Sequence, residues 1–388
     1  MSDDTVVEPS LAHPVEPIPP DAGRGGPDPG IALCLSGGGY RAMLFHTGAL
    51  WRLNQLGYLP KLARISSVSG GSIAAAVLGL NWGKLAFDNQ GVAQKLEAAV
   101  VDPIRGMADQ TIDISSVLVG LFTPASIGER TTAAYDAHLF HGATLQDLPD
   151  EPRFVINATN AQSGALWRFM KPYMRDYLVG EVRHPDVLLA TAVAASAAFP
   201  PVLSPVRLKL KAESYSPPDG EPLHKPPYTT NVFLMDGGVY DNLGLETAWK
   251  RLDTILVSDG GGHMSPEPDP KADWLRQVPR ILDLINNQVV SLRKRQLIGS
   301  YVDKTRGGAY WGIRTKIANY DLPNSMPCPP ELTAKLAAVA TRLERLSSTT
   351  QERLINWGYA VCDAAMRKHV DPAAPAPSGF PYPSAGIG

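Results

Sequence analysis

Three groups of residues in this chain have types and spacings suited to acyl chemistry: Ser69 in Ser67-Val68-Ser69-Gly70-Gly71, Asp236 in Asp236-Gly237-Gly238, and the run Gly37-Gly38-Gly39. A serine on a sharp strand-to-helix turn is a nucleophile elbow, whose neighbours must be small because the turn crowds them. Ser67 stands where the usual motif has its first glycine, giving S-x-S-x-G. Ser72 fits a looser form of the pattern, but it falls in the first turn of the following helix, where serines are common for structural reasons. Ser69 is therefore the expected nucleophile. Three successive glycines at a helix start let backbone N–H groups converge on negative charge, either a phosphate or the oxyanion of a tetrahedral intermediate. A phosphate loop is disfavoured, because Ala42 occupies the last position of a would-be G-x-G-x-x-G and no G-x-x-x-x-G-K-[ST] exists.

A serine hydroxyl needs a group to take its proton. Of the eight histidines, His13 and His369 lie in or beside the termini, His224 falls in a proline-rich insertion, and His46 falls inside a helix. His263 follows the strand-end turn Asp259-Gly260-Gly261-Gly262, and Ser69…Asp236…His263 has the chain order of a hydrolase triad. The alternative is a serine–aspartate dyad in which burial raises the Asp236 carboxyl toward a useful base. A third reading makes Asp236 a simple turn-former before glycine. Position alone leaves these three open.

These residues need a scaffold. The chain has 388 residues, 44% hydrophobic and 19% charged, enough for a large enzyme core. A net charge of −2 provides no field for nucleic acid. Three cysteines without metal-ligand spacing fit a reducing compartment, so a cytoplasmic location is expected. The acidic, proline-rich opening carries no basic n-region, and no run of 18 apolar residues exists to span a membrane.

Residues 1–29 read as a disordered proline-rich segment, residues 30–369 as one hydrolase domain, and residues 370–388 as a loose proline-rich tail. Two strand–turn–helix units fill residues 31–80, with strands expected at 31–35 and 64–68 and helices at 41–56 and 72–80. Residues 88–141 read as helical. Within them the apolar tract 112–122 is expected to be a core helix or a lipid contact. Strands are expected at 153–159, 165–170, 207–211, 231–235 and 252–258, with helices at 185–198, 273–301 and twice within 331–366. This alternation argues for an α/β fold with a mainly parallel sheet covered by helices. Functional groups then gather beyond the carboxyl ends of the strands, where Ser69, Gly37 to Gly39, Asp236 and Asp259 are all expected.

Four ordered blocks resemble those of the patatin-like phospholipases: Gly37-Gly38-Gly39-Tyr40-Arg41, Ser69 in S-V-S-G-G-S, Ala195-Ser196-Ala197-Ala198-Phe199-Pro200-Pro201, and Asp236-Gly237-Gly238. The resemblance covers about residues 29–262. It implies a three-layer α/β/α fold and a lipid acyl hydrolase with Ser69 as nucleophile and Asp236 as general base. It also implies an oxyanion motif at Gly37, Gly38, Gly39 and Arg41. The expected substrate is a phospholipid or neutral-lipid ester met at a membrane or lipid surface, with no cofactor and no metal, since no calcium loop is present. A catalytically silent lipid- or protein-binding module on the same fold is the reading from another class.

Overall fold

In a computed structural model, the structure describes residues 27–112, 124–200, 203–216, 222–264, 266–270 and 273–388. The apolar tract 112–122 lies outside these residues apart from Ile112, which is buried.

The first strand, β1 (Asp28–Leu35), is apolar on both faces, as a central parallel strand must be. Its side chains alternate between two cores. Leu33 and Leu35 join the larger one, and Ala32 and Cys34 face the smaller one on the other side of the sheet. Helix α1 (Gly39–Gln55) follows, then β2 (Leu62–Ser67) and the alanine-rich α2 (Gly70–Leu80). After α3 (Asp102–Ala108) and α4 (Pro124–Tyr135) the chain forms β3 (Arg153–Asn160). A run of short strands follows: β4 (Leu166–Phe169), β5 (Tyr173–Asp176) and β6 (Gly180–Arg183). Then come α5 (Leu189–Ser196), β7 (Val206–Lys209), β8 (Tyr215–Ser216) and β9 (Asn231–Asp236).

Two short helices, α6 (Gly238–Asp241) and α7 (Glu246–Trp249), lead to β10 (Leu252–Asp259) and the long α8 (Trp274–Val302). The chain continues through β11 (Gly307–Gly312), α9 (Pro330–Ala337) and α10 (Ser348–His369).

The strand order is β11-β10-β1-β2-β3-β4-β5-β6-β8, with β9 on β3 and β7 on β9. The five strands β11 to β3 are mutually parallel. From β3 to β8 the pairing is antiparallel, and so are β3–β9 and β7–β9. The central sheet is thus mostly parallel and flanked by helices, as expected, with an antiparallel extension that the sequence did not signal. No helix among the described residues is long and apolar enough to cross a membrane.

The C-terminal region belongs to the same core. At the crossing of α1 and α10, Gly48 lies against the Ile355 carbonyl and Gly358 against the Phe45 carbonyl, each too close for a Cβ. Buried Arg52 and Arg367 both pair with Asp363, at 2.7 and 2.8 Å. The segment read as a loose tail is fastened: Asn356 Nδ2 donates to the carbonyls of Tyr382 and Gly386, and Ile387 is buried. These are contacts of isolated side chains, which hydrophobic periodicity does not reveal.

Candidate active site

The sheet brings Ser69 and Asp236 together by an end-to-end meeting of two strands. On β3, Ile156 pairs with Ser67 of β2 and Ala158 pairs with Asp236 of β9. The opposite edge of β3 is occupied by β4 at those same residues, so β2 and β9 share one edge and run toward each other. Their carboxyl ends stop two β3 residues apart, about 7 Å along the strand. The sequence reading placed Asp236 at the carboxyl end of a strand in the parallel set. The place is right, but β9 is antiparallel and reaches it from the opposite end of the same β3 edge.

Ser69 follows β2 and caps α2 with φ 51° and ψ −119°. A non-glycine residue in that region is strained and persists only where surrounding structure holds it. The holding contacts are specific. The Ser69 amide donates to Ser196 Oγ at 2.9 Å, and Ser196 Oγ donates to the Asn157 carbonyl at 2.6 Å. A Cβ on Gly70 would collide with the Gly39 carbonyl, and one on Gly71 with the Leu35 carbonyl, so the turn packs directly on the glycine run. Ser72 is fully buried, with its hydroxyl 3.0 Å from Ser67 Oγ and 2.9 Å from Ser196 Oγ.

Asp236 is 3% exposed and Ser69 8%. Burial pushes the Asp236 carboxyl up to about 7, against the opposing pull of the Gly238 amide and the Ser69 hydroxyl. The Gly238 amide donates at 2.6 Å. The end of α5 clamps this loop: the Asp236 amide donates to the Ala198 carbonyl at 2.8 Å and the Gly237 amide to the Ser196 carbonyl at 3.2 Å. His263 is exposed on the wall of the cavity, and among the described residues no hydrogen bond joins it to Ser69 or Asp236. His46 is fully buried. Its ring nitrogens lie 2.8 Å from Ser258 Oγ and 2.9 Å from the Ser36 carbonyl, and burial lowers its pKa to about 4.

The glycine run has an uneven geometry. Gly38 and Gly39 have φ of 144° and 62° and line the cavity beside Ser69. The Gly37 amide instead donates to the Asn242 carbonyl at 3.0 Å. Asn242 Oδ1 sits so close to Gly37 and Gly238 that neither could carry a Cβ, which wedges it between the two glycine turns. Arg41 is buried, donating from Nε to the Gly260 carbonyl and from Nη1 to the Val339 carbonyl, while its Nη2 has no hydrogen-bond partner among the described residues. It therefore ties the start of α1 to the loop after β10.

The sequence model of the family described as patatin-like phospholipase matches residues 33–249, more than half of the chain. The chain belongs to the patatin-like phospholipase family. Among solved structures, human GIVD cytosolic phospholipase A2 in complex with methyl γ-linolenyl fluorophosphonate is 13% identical, with a TM-score of 0.48, covering 87% of this chain and 57% of that one. A second structure of human GIVD cytosolic phospholipase A2 gives 13% identity and a TM-score of 0.38 over 62% of this chain and 49% of that one. VipD from Legionella pneumophila is 15% identical, with a TM-score of 0.34, over 86% of this chain and 66% of that one. The chain thus spans about half to two thirds of the length of these proteins. No curated protein matches by sequence.

In this patatin-like phospholipase chain Ser69 and Asp236 open onto a cavity of about 760 Å³, within the usual range for small-molecule sites. Phe199, Leu203, Val290, Ile313 and Leu343 form its apolar lining. Part of the wall comes from α8 and β11, beyond the matched residues. Asp259 lies on that wall. Burial would raise its carboxyl, but the Lys294 ammonium and the Tyr310 hydroxyl outweigh this and hold it below the ordinary carboxylate range. Sequence reasoning missed Ser196 as a holder of the elbow, and Asn242 as the wedge. The one available signal for Ser196 was a lone hydroxyl residue in a run of alanines.

Proposed function

We propose that this chain is a lipid acyl hydrolase working through a Ser69–Asp236 dyad on carboxylic esters of phospholipids or neutral lipids. The observation that carries the reading is the placement of the strained Ser69 turn beside the buried Asp236 carboxyl, which burial raises to about 7. A base with a pKa near the working pH is effective in proton transfer. Ser69 Oγ attacks the ester carbonyl carbon while Asp236 takes the hydroxyl proton. The tetrahedral oxyanion is met by the amides of Gly38 and Gly39, with the Gly37 amide committed to Asn242 and Arg41 bracing the loop. Collapse breaks the ester bond, and the departing alcohol takes the proton from Asp236. Water then attacks the acyl-Ser69 ester with Asp236 again as base, releasing a fatty acid and restoring the hydroxyl.

No imidazole is needed in this sequence of steps, and no metal or cofactor enters it. The apolar part of the cavity lining, Phe199, Leu203, Val290, Ile313 and Leu343, suits an acyl chain, and the polar part suits an ester or head group. A chain with a lipid substrate and a site open at its surface is expected to work at a lipid surface as a peripheral protein. The test is hydrolysis of phospholipid and triacylglycerol substrates by the purified parent, Ser69→Ala and Asp236→Ala chains. Folded variants that turn over at the parent rate would reject the reading.

A further inference from the structure

Helix α8 is amphipathic the wrong way round for a helix that walls a cavity. Asp283, Asn286, Asn287, Val290, Ser291 and Lys294, at spacings of 3, 4, 7, 8 and 11, point to the cavity and are mostly polar. On the opposite side, Val278, Ile281, Leu282, Ile285 and Leu292 are between 42% and 57% exposed. Exposed apolar residues scattered singly are ordinary, but a continuous stripe along one helix face marks a contact surface.

We propose that this outward face of α8 seats the protein on a lipid bilayer. The inference rests on the lipid acyl hydrolase reading, since the cavity that α8 walls is where the ester would be cleaved. The C-terminal part of α8 is anchored to the sheet and its neighbours. Leu297 is fully buried, the Tyr301 hydroxyl donates to the Ile255 carbonyl at 2.6 Å, and Arg293 pairs with Glu246 at 3.0 Å. Val239, on α6 packed against α8, and Phe199, which lines the cavity, are further exposed apolar residues. A bilayer against the stripe would lie about one helix diameter, roughly 10–12 Å, from the cavity.

The charges on α8 favour a membrane over a second copy of the chain. Of its five cationic side chains, Arg280, Arg293 and Lys294 are paired with Glu267, Glu246 and Asp259, and Arg276 forms an exposed surface pair with Asp273, against the single acid Asp283 on the helix itself. Asp283 lines the cavity, whereas Arg276 and Arg295 are exposed to reach lipid phosphates. Exposed arginines beside an apolar stripe are found on helices that lie in the membrane interface. Two such helices facing each other would bring like charges together.

The experiment is sedimentation of the full chain with vesicles of phosphatidylcholine and of phosphatidylcholine mixed with phosphatidylserine. Hydrolysis of a soluble short-chain ester and elution on gel filtration are measured on the same proteins. Ile281→Ser with Ile285→Ser should lower vesicle binding about tenfold or more and leave soluble-ester hydrolysis within about twofold. Ile281→Leu with Ile285→Leu should keep both. Ser69→Ala should bind vesicles like the parent. Unchanged vesicle binding by the serine double variant would overturn the proposal. So would a parent dimer that the variant dissociates without losing vesicle binding, which would make a second copy the occupant. A parent chain that binds vesicles through these two residues yet hydrolyses no ester would leave the docking standing and reject the hydrolase reading instead.

Discussion

Ser196 holds Ser69 in place: its hydroxyl accepts the Ser69 amide at 2.9 Å, and its carbonyl accepts the amide of Gly237, the residue after Asp236, at 3.2 Å. One residue at the end of α5 therefore touches both halves of the proposed dyad. Ser196→Ala leaves a buried amide without a partner, which costs about 1–3 kcal/mol. Urea denaturation should show that loss, and kcat on a soluble ester should fall while KM changes little, because the strained turn relaxes away from the base. Parent values of both stability and kcat would show that the elbow does not depend on this contact.

The raised Asp236 carboxyl fixes the direction of the pH dependence. Ionised Asp236 is the base, so kcat/KM should rise with pH through a midpoint near 7 and level off above it. His263→Ala should have the same profile, within about tenfold of the parent rate or roughly 1.4 kcal/mol of barrier. A midpoint near the ordinary carboxylate value, or one that vanishes with His263, would contradict the dyad.

The same group makes a stability prediction of definite sign. A carboxyl with its folded pKa raised by burial binds its proton more tightly folded than unfolded. Between its ordinary value of 3.8 and about 7 the folded state therefore loses stability as pH rises, and above that the cost is constant. Asp236→Asn keeps an oxygen for the Gly238 amide and removes the buried charge. It should be inactive, yet more stable than the parent at pH 8 by an amount on the order of a few kcal/mol. The difference should shrink as pH falls toward 4. Thermal melts at the two pH values check it, and a less stable Asp236→Asn at pH 8 would show that Asp236 is not held at this cost.

How much of this was legible in the sequence varied with the kind of physics involved. The two strand–turn–helix units were readable because β1 carries the apolar run 31–35 and both turns are marked by glycine. The directions of the later strands were not. Nothing in Asn231–Asp236 distinguishes a strand that joins the parallel set from one that approaches β2 head-on, since both show the same alternation. Strand β11, Gly-Gly-Ala-Tyr-Trp-Gly, went unassigned, because its three glycines leave little strand pattern, while its pairing with β10 is what shelters it. The family resemblance placed Arg41 in the oxyanion motif but did not give its contacts. Only tertiary structure supplies the Gly260 and Val339 carbonyls that bury it.

The glycine run offers a further check. Gly38 has φ 144°, and a Cβ there would sit 2.7 Å from the Gly260 carbonyl. Gly38→Ala should displace a proposed oxyanion donor and lower kcat by ~10²–10³. Circular dichroism would verify the fold before kinetics. A folded Gly38→Ala chain with parent kcat would remove this loop from the proposed mechanism.

The central claim is that Ser69 is the nucleophile and needs no histidine, and covalent labelling tests it most directly. The parent, Ser69→Ala, Ser72→Ala and His263→Ala proteins would each be treated with a fluorophosphonate lipid ester analogue, and the modified residue mapped by mass spectrometry of peptides. The account expects label on Ser69 in the parent, in Ser72→Ala and in His263→Ala, and none in Ser69→Ala. Label on Ser72, or a folded His263→Ala protein that takes up none, would contradict it.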